Sequence, residues 1–311
     1  LRIILHPTGP NSKAHLALLA SSLVFGLNYW IAKALMPDYL NPAQIIFFRI
    51  VVSAGLFWLT ALFLKKENVE IPDLWRIALC SLLGVVLNPY LFFLGLRLSN
   101  PVETAILHTT SPIVVLVFAA WILREKVTTP KLTGIAVGAA GALLIVLNGR
   151  QLSFSSDTFL GNVFILLNIT FYSLYLVLIK PVMLKYHPIT VMKWAFLFAM
   201  VVVFPLTFPA AMQVNWKAFP GIIWFDFLYV VIGTTYLAYL LVTISLQRLS
   251  AAVVGFYIYL QPLIATIHGI ILEKEKLTAV KLLAALLIFS GVWLVNRKTR
   301  YRLKEVAERD K

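Results

Sequence analysis

SPIVVLVFAAWILREKVTTPKLTGIAVGAAG, residues 111–141, comes round a second time in altered form: residues 261–291 read QPLIATIHGIILEKEKLTAVKLLAALLIFSG. The offset is 150 residues, without a gap from Pro112/Pro262 onward. Pro112/Pro262, Glu125/Glu275, Lys126/Lys276, Thr128/Thr278, Lys131/Lys281, Leu132/Leu282 and Gly141/Gly291 are identical. Each copy is an apolar run, a charged break of the pattern E-K-[V/L]-T-x-x-K, and a second apolar run. Biased composition can align two apolar segments, but it does not supply a matching charged break. The chain therefore carries an internal repeat.

Around that repeat the composition is that of a membrane protein. Of 311 residues, 60% are hydrophobic and 13% charged, against about half and a quarter in soluble domains. Several apolar runs reach the ~20 residues that cross a bilayer core. A net charge of +14 would point a soluble chain toward nucleic acid. Here the cations sit mainly in the joints between apolar runs and in the tail RKTRYRLKEVAERDK, so membrane topology accounts for the excess and no nucleic-acid partner is expected. The one cysteine, Cys80, excludes an intramolecular disulfide and argues against a thiolate metal site. There is no GxxxxGK[ST], no HExxH and no cluster of carboxylates, so neither an enzyme nor a bound cofactor or metal is expected.

Apolar runs between charged or Pro/Gly/Asn breaks give ten candidate helices, at about 15–36, 43–64, 75–96, 103–123, 131–148, 159–180, 189–211, 221–246, 251–272 and 280–296. The first begins near His15, is too long for a signal h-region and lacks an A-x-A-like site, so it is expected to remain as helix 1. Alternating the helices across a membrane places eighteen Lys and Arg on the side of the N-terminus and six on the other. That excess puts both termini in the cytoplasm, with the chain in the inner (plasma) membrane. Five helices per copy is an odd number, so the second copy enters from the opposite side. The expected architecture is all-α: ten transmembrane helices as two inverted five-helix repeats, residues 1–149 and 150–297, with a basic cytoplasmic tail at 298–311. Inverted repeats recur in secondary transporters, with the substrate site between the halves.

At this level of detail the chain resembles the ten-helix EamA family of the drug/metabolite transporter superfamily. The resemblance is carried by FGLNYWIAK (25–33), by the Pro42…Arg49 spacing, by LRLSNPVETAILHTTSPIVVLVFAAWILREKVT (96–128) and by LQRLSAAVVGFYIYLQPLIATIHGIILEKEKLT (246–278). Two departures are Phe25-Gly26 where Trp-Gly is common, and no Arg in helix 7 to match Arg49. The resemblance implies a central cavity lined by helices 1, 3, 4, 6, 8 and 9, with helices 5 and 10 peripheral. It implies small-molecule cargo such as amino acids, other metabolites or drugs. Gly134 and Gly138 form a GxxxG pattern in helix 5, which reads as a packing seam.

Polar residues at membrane depth are the candidate substrate contacts. Helix 1 offers Asn28 and Lys33; helix 6 offers Asn168, Tyr172 and Tyr175 at i, i+4, i+7, followed by Lys180. The lysines either face a cavity or snorkel to the interface. Helix 3 contains the Asn88-Pro89-Tyr90 break, where proline frees a carbonyl that protein or water must satisfy; Asn88 and Tyr90 are candidates there. His108 sits in the His108–Ser111 polar patch of helix 4, and Tyr236 in helix 8. Tyr257, Gln261 and His268 share one face of helix 9 at i, i+4, i+11. Arg49 reads as a snorkelling or end-pairing residue, Glu103 as a cap, Asp226 as an interface residue, and Glu125 and Glu275 as turn residues. Thr128 and Thr278 fit N-caps of the next helices.

The function expected from these features is secondary active export of a small polar metabolite, amino-acid-like or carboxylate-bearing, by alternating access. Proton coupling through His108, His268 or Glu103 is compatible with the pattern, and so is a monomer or a homodimer. The alternative is a membrane-embedded sensor or interaction protein without transport.

Overall fold

Asn41 starts one helix by a reciprocal device: its side chain accepts from the Gln44 backbone N–H at 3.0 Å, and Gln44 accepts from the Asn41 N–H at 2.8 Å, with Pro42 at the first helical position. His187 and Ser250 cap two later helices through side-chain acceptors. Thr278 accepts from the Lys281 N–H at 3.4 Å, the N-cap its sequence position suggested. The computed structural model describes residues 11–36, 38–99, 104, 107–147, 158–272 and 278–309. Glu103, Glu275 and the side chain of Lys33 lie outside the described residues.

The described residues are all-helical in fold, and they form ten helices. They are α1 (Ser12–Leu35), α2 (Pro42–Ala61), α3 (Ile71–Leu98), α4 (described over Ser111–Ile122), α5 (Thr129–Leu147), α6 (Phe159–Met183), α7 (Pro188–Ala211), α8 (Gly221–Arg248), α9 (Ala251–Phe256, a 3₁₀ turn Tyr257–Tyr259, then Leu260–Leu272) and α10 (Ala279–Arg309). Of these, α2, α3, α6, α7 and α8 are long and apolar enough to cross a membrane by themselves. Helix α10 runs past the expected end at 296 to Arg309, because the tail's polar residues still propagate a helix once it is nucleated.

Inversion of the repeat is visible in how equivalent helices meet. On α5 and α10, Gly134 lies against Gly291 and Val295 while Gly141 lies against Ala284 and Ile288. Residue numbers rise on one helix as they fall on the other, so the two run antiparallel. A Cβ on Gly291 would stand 2.7 Å from the Gly134 carbonyl oxygen, so the GxxxG seam is the close backbone approach it resembles. Helices α2 and α7 repeat the pattern: Gln44 bonds the Ala210 carbonyl at 3.0 Å, Phe47 packs on Phe204 and Phe57 on Phe196. Two equivalent pairs, both antiparallel, require that one copy be turned over relative to the other.

Helices α3 and α8 each contain a π-helical stretch, Leu82–Leu87 and Tyr229–Leu237, overlapping under the same 150-residue offset. There the backbone bonds reach five residues back, Asn88 to Leu83 and Ala238 to Gly233, and the widened turn leaves carbonyls for side chains. Tyr239 donates to the Gly84 carbonyl at 2.8 Å, Ser53 to Val231 at 3.3 Å and Thr235 to Val230 at 3.0 Å.

One end of the bundle is tied shut across the repeats. His15 and Tyr257 share a hydrogen bond of 2.8 Å, Ser245 donates to the Ala14 carbonyl at 2.9 Å and Ser22 to the Tyr257 carbonyl at 3.2 Å. At the same end Lys185 and Tyr186 both reach the Asp73 carboxylate, at 2.8 and 2.9 Å. Glu125 accepts from the Ala251 N–H at 3.2 Å and pairs with Lys131 at 3.2 Å, so the first copy of the charged break acts as a clamp between halves.

Candidate functional site

Pro112 and Pro262, the first identical pair of the repeat, set the geometry of the centre. Lacking an N–H, each leaves the carbonyl four residues earlier without its helical partner, at His108 and Ile258. Helix α4 turns at Thr109–Thr110 and α9 passes through its 3₁₀ turn at Tyr257–Tyr259. The Tyr259 hydroxyl donates to the carbonyl of Thr109, its own equivalent position, at 3.0 Å. Around this meeting point His108 and Ile258, Ser111 and Gln261, and Pro89 and Tyr239 are pairs under the 150-residue offset. All six line a single cavity of about 110 Å³. That is several times the ~10–15 Å³ that admits one water, and it lies on the axis relating the two repeats, where transporters of this architecture bind cargo.

Arg49 of α2 also lines the cavity. It is 6% exposed, its Nε donates to the Thr235 hydroxyl at 2.7 Å, and its guanidinium carbon lies 5.7 Å from the centre of the Phe93 ring. Among the described residues the ion pairs are Lys131–Glu125 and Lys185–Asp73, so no described carboxylate balances Arg49. A buried cation held by one neutral hydroxyl and an aromatic face is costly unless an anion completes it.

The amides of the cavity wall divide into two kinds. Asn88 donates to the Asn168 carbonyl at 3.2 Å and Asn168 to the Asn88 carbonyl at 2.7 Å, a reciprocal clasp between α3 and α6. Asn28 Oδ1 and His108 Nε2 are instead buried without a hydrogen-bond partner among the described residues. Phe92 stands edge-on to the His108 ring at 5.7 Å and fixes its plane.

Six of the residues anticipated from sequence line the cavity: Asn28, Asn88, His108, Asn168, Tyr172 and Gln261. Tyr175 is fully buried below it, its ring against Gly84 and its hydroxyl unpartnered. Tyr90 is 37% exposed and is not in the cavity wall, unlike its neighbours Asn88 and Pro89. Lys180 neither faces the cavity nor snorkels: its ammonium donates to the carbonyls of Leu246 and Leu249 and caps the C-terminus of α8, where the helix dipole favours a cation. Tyr236 bonds Thr60 at 2.7 Å, away from the cavity, because the π-helical stretch advances the phase of α8 and brings Tyr239 inward instead. Tyr257 belongs to the closed end, and His268 is not in the cavity wall; the 3₁₀ turn breaks the face that α-helical spacing gives Tyr257, Gln261 and His268. Arg49 of helix 2 and Tyr239, a polar residue that helix 8 offers beside Tyr236, also line the cavity, and the apolar residues Phe25, Phe92, Ile169 and Ile258 are additions that spacing did not single out. The cavity also includes helix 2, through Arg49, beyond the six helices expected; α5 and α10 contribute no lining residue.

The EamA-like transporter family profile matches residues 12–147 and again 159–297. The chain belongs to the EamA-like transporter family. It is a multi-pass membrane protein of a transporter family, not an enzyme. Among similar proteins, an uncharacterized transporter of Archaeoglobus fulgidus is 28% identical over 295 residues, 93% of this chain and 99% of that protein. A "probable terminal-alkyne amino-acid exporter" of Streptantibioticus cattleyicolor is 25% identical, over 95% of this chain and 97% of its own length. A solved crystal structure superposes with a TM-score of 0.75 at 16% identity, covering 93% of this chain and 98% of that one, which attests to the shared fold. EamA membership fits the cavity's position between two copies of one unit, each matched separately by the family profile.

Proposed function

We propose that this EamA-family chain is a secondary active transporter that exports a small carboxylate-bearing solute, amino-acid-like in character, by alternating access. The observation that carries the reading is Arg49, a buried guanidinium on the cavity wall whose counter-charge is absent from the described residues. A carboxylate entering the cavity supplies it. Orientation by Thr235 leaves the terminal guanidinium nitrogens for the solute, the arrangement in which arginine binds carboxylates through two parallel bonds. The amino-acid exporter among the similar proteins supports the same cargo class.

Residues 1–149 and 150–297 act as the two halves that rock about the cavity. With both termini in the cytoplasm, as the Lys and Arg distribution favours, the end closed by His15–Tyr257 is the cytoplasmic one.

The test is a counterflow screen in proteoliposomes with L-amino acids, short monocarboxylates and the matching carboxamides. Acids that exchange while their carboxamides do not support the reading. Exchange of acid and carboxamide at equal rates contradicts it.

A further inference from the structure

Within the carboxylate reading just given, the cavity contains a second recognition pole of opposite hydrogen-bonding sense. Arg49 has donors only. Asn28 Oδ1 is an acceptor by its chemistry, and it is buried with no donor bonded to it among the described residues. His108 Nε2 is likewise buried without a partner. The two come from different helices, α1 and α4, and from the same cavity wall.

Neither atom is left over for want of local partners of the usual kind. The neighbouring amides Asn88 and Asn168 are clasped to each other's backbone, and the Tyr239 hydroxyl is engaged by Gly84. Ser111, Tyr172 and Gln261 also line the cavity, but among the described residues Asn28 Oδ1 and His108 Nε2 are the lining atoms that are buried without a partner. A buried acceptor without a donor is costly in proportion to the hydrogen bond it forgoes. In the neutral His108 tautomer protonated on Nδ1, Nε2 is an acceptor.

We infer that Asn28 Oδ1 and His108 Nε2 together receive the amino group of the solute, and so make the site selective for amino acids over the corresponding hydroxy acids. The valence argument decides between these ligands. An ammonium brings three N–H donors and can satisfy both acceptors at once, while a hydroxyl brings a single O–H and must leave one bare. A cavity that presents hydrogen-bonding groups to a polar substituent rejects the analogue lacking it far more strongly than an apolar pocket rejects a missing methylene.

The experiment is a thermal-shift and uptake titration of the full-length protein with matched triples: L-serine, glycerate and ethanolamine; L-leucine, 2-hydroxyisocaproate and isoamylamine; L-phenylalanine, phenyllactate and phenethylamine. For at least one triple the amino acid should bind about tenfold or more tightly than its hydroxy acid, the loss expected for one charge-assisted bond. Asn28→Leu and His108→Phe should each narrow that ratio, and Asn28→Asp, which keeps an acceptor, should retain it. Equal affinity for amino acid and hydroxy acid, or a ratio untouched by both deletions in folded protein, overturns the amino-group assignment and leaves the Arg49 reading standing. Binding of the amines in preference to every acid, or of no acid at all, overturns the carboxylate reading and this inference with it.

Discussion

Gly84 and Gly55 offer the same chemical change in two opposite surroundings. A Cβ built on Gly84 would lie 2.2, 2.4 and 2.7 Å from ring and Cβ atoms of Tyr175, a fully buried side chain. Ordinary contact begins near 3.4 Å, so Gly84→Ala requires the Tyr175 ring or helix α3 to retreat by about 1 Å in a close-packed interior. Over-packing of that kind costs ~1–3 kcal/mol, against ~1 kcal/mol that alanine returns in helix propensity. Gly55, in α2, has no atom within 4 Å of the added Cβ, so Gly55→Ala collects the propensity gain alone. The propensity gain is common to both, so the two variants should differ by the over-packing cost, ~1–3 kcal/mol in unfolding free energy, with Gly84→Ala the less stable. Because Tyr175 packs against the tilted rings of the cavity-lining Tyr172 and Tyr239, solute affinity should also fall in Gly84→Ala and stay unchanged in Gly55→Ala. Reversible unfolding in mixed micelles, with binding measured on the folded fraction, reads both quantities. Equal stability of the two variants would refute the packing of Tyr175 on the π-helical segment of α3.

Other expectations follow from single contacts. Arg124 has φ 54° in the turn between α4 and α5, so Arg124→Gly should stabilise the protein by a few tenths to ~1 kcal/mol in a melting assay, and Arg124→Val should destabilise it. The Asp73 carboxylate, accepting a bond from Lys185, raises the pKa of that ammonium; because the folded value lies above the unfolded one, the stabilisation is present at neutral pH and lost as pH rises through the folded value. Lys185→Met should therefore melt slightly lower than wild type near pH 7, by a few tenths of a kcal/mol for so exposed a pair, and the gap should close in strongly alkaline buffer. Tyr257→Phe removes the hydroxyl shared with His15 at the closed end. It should raise the labelling rate of a cysteine placed at Ala14 without lowering solute affinity at the cavity; an unchanged labelling rate would mean that this bond does not hold the end shut.

Much of this arrangement is legible in the chain because the duplication copies position as well as residue type. The offset read from Pro112 and Pro262 places His108 opposite Ile258 and Ser111 opposite Gln261, and the cavity is where they converge. The polar residues Asn28, Asn168 and Tyr172 are readable because a bilayer offers them nothing else. Phe25, Phe92 and Ile169 are not, since lipid, protein core and cavity wall all accept apolar side chains and no periodicity separates them. Helix phase is the second blind spot. A π-helical stretch shifts the backbone bonds by one residue without a compositional mark, so regular spacing does not show that Tyr239 lines the cavity while Tyr236 bonds Thr60. Cation placement is the third: Arg49 and Lys180 both sit at helix depths compatible with snorkelling. Only the packing of α2 beneath α8 shows that Arg49 turns inward to Thr235, while Lys180 closes the end of a neighbouring helix.

The central claim is that Arg49 supplies the charge that holds the solute. The most direct measurement is counterflow of an exchanging acid in proteoliposomes containing wild type, Arg49→Gln or Arg49→Lys, with folding checked by melting and by insertion yield. Loss of a charge-assisted fork in a buried site is worth ~2–4 kcal/mol, so solute affinity should fall by roughly 30-fold or more in Arg49→Gln. Arg49→Lys, which keeps charge but loses the two-pronged geometry, should fall between. Folded Arg49→Gln protein that exchanges the acid with wild-type affinity would contradict the account.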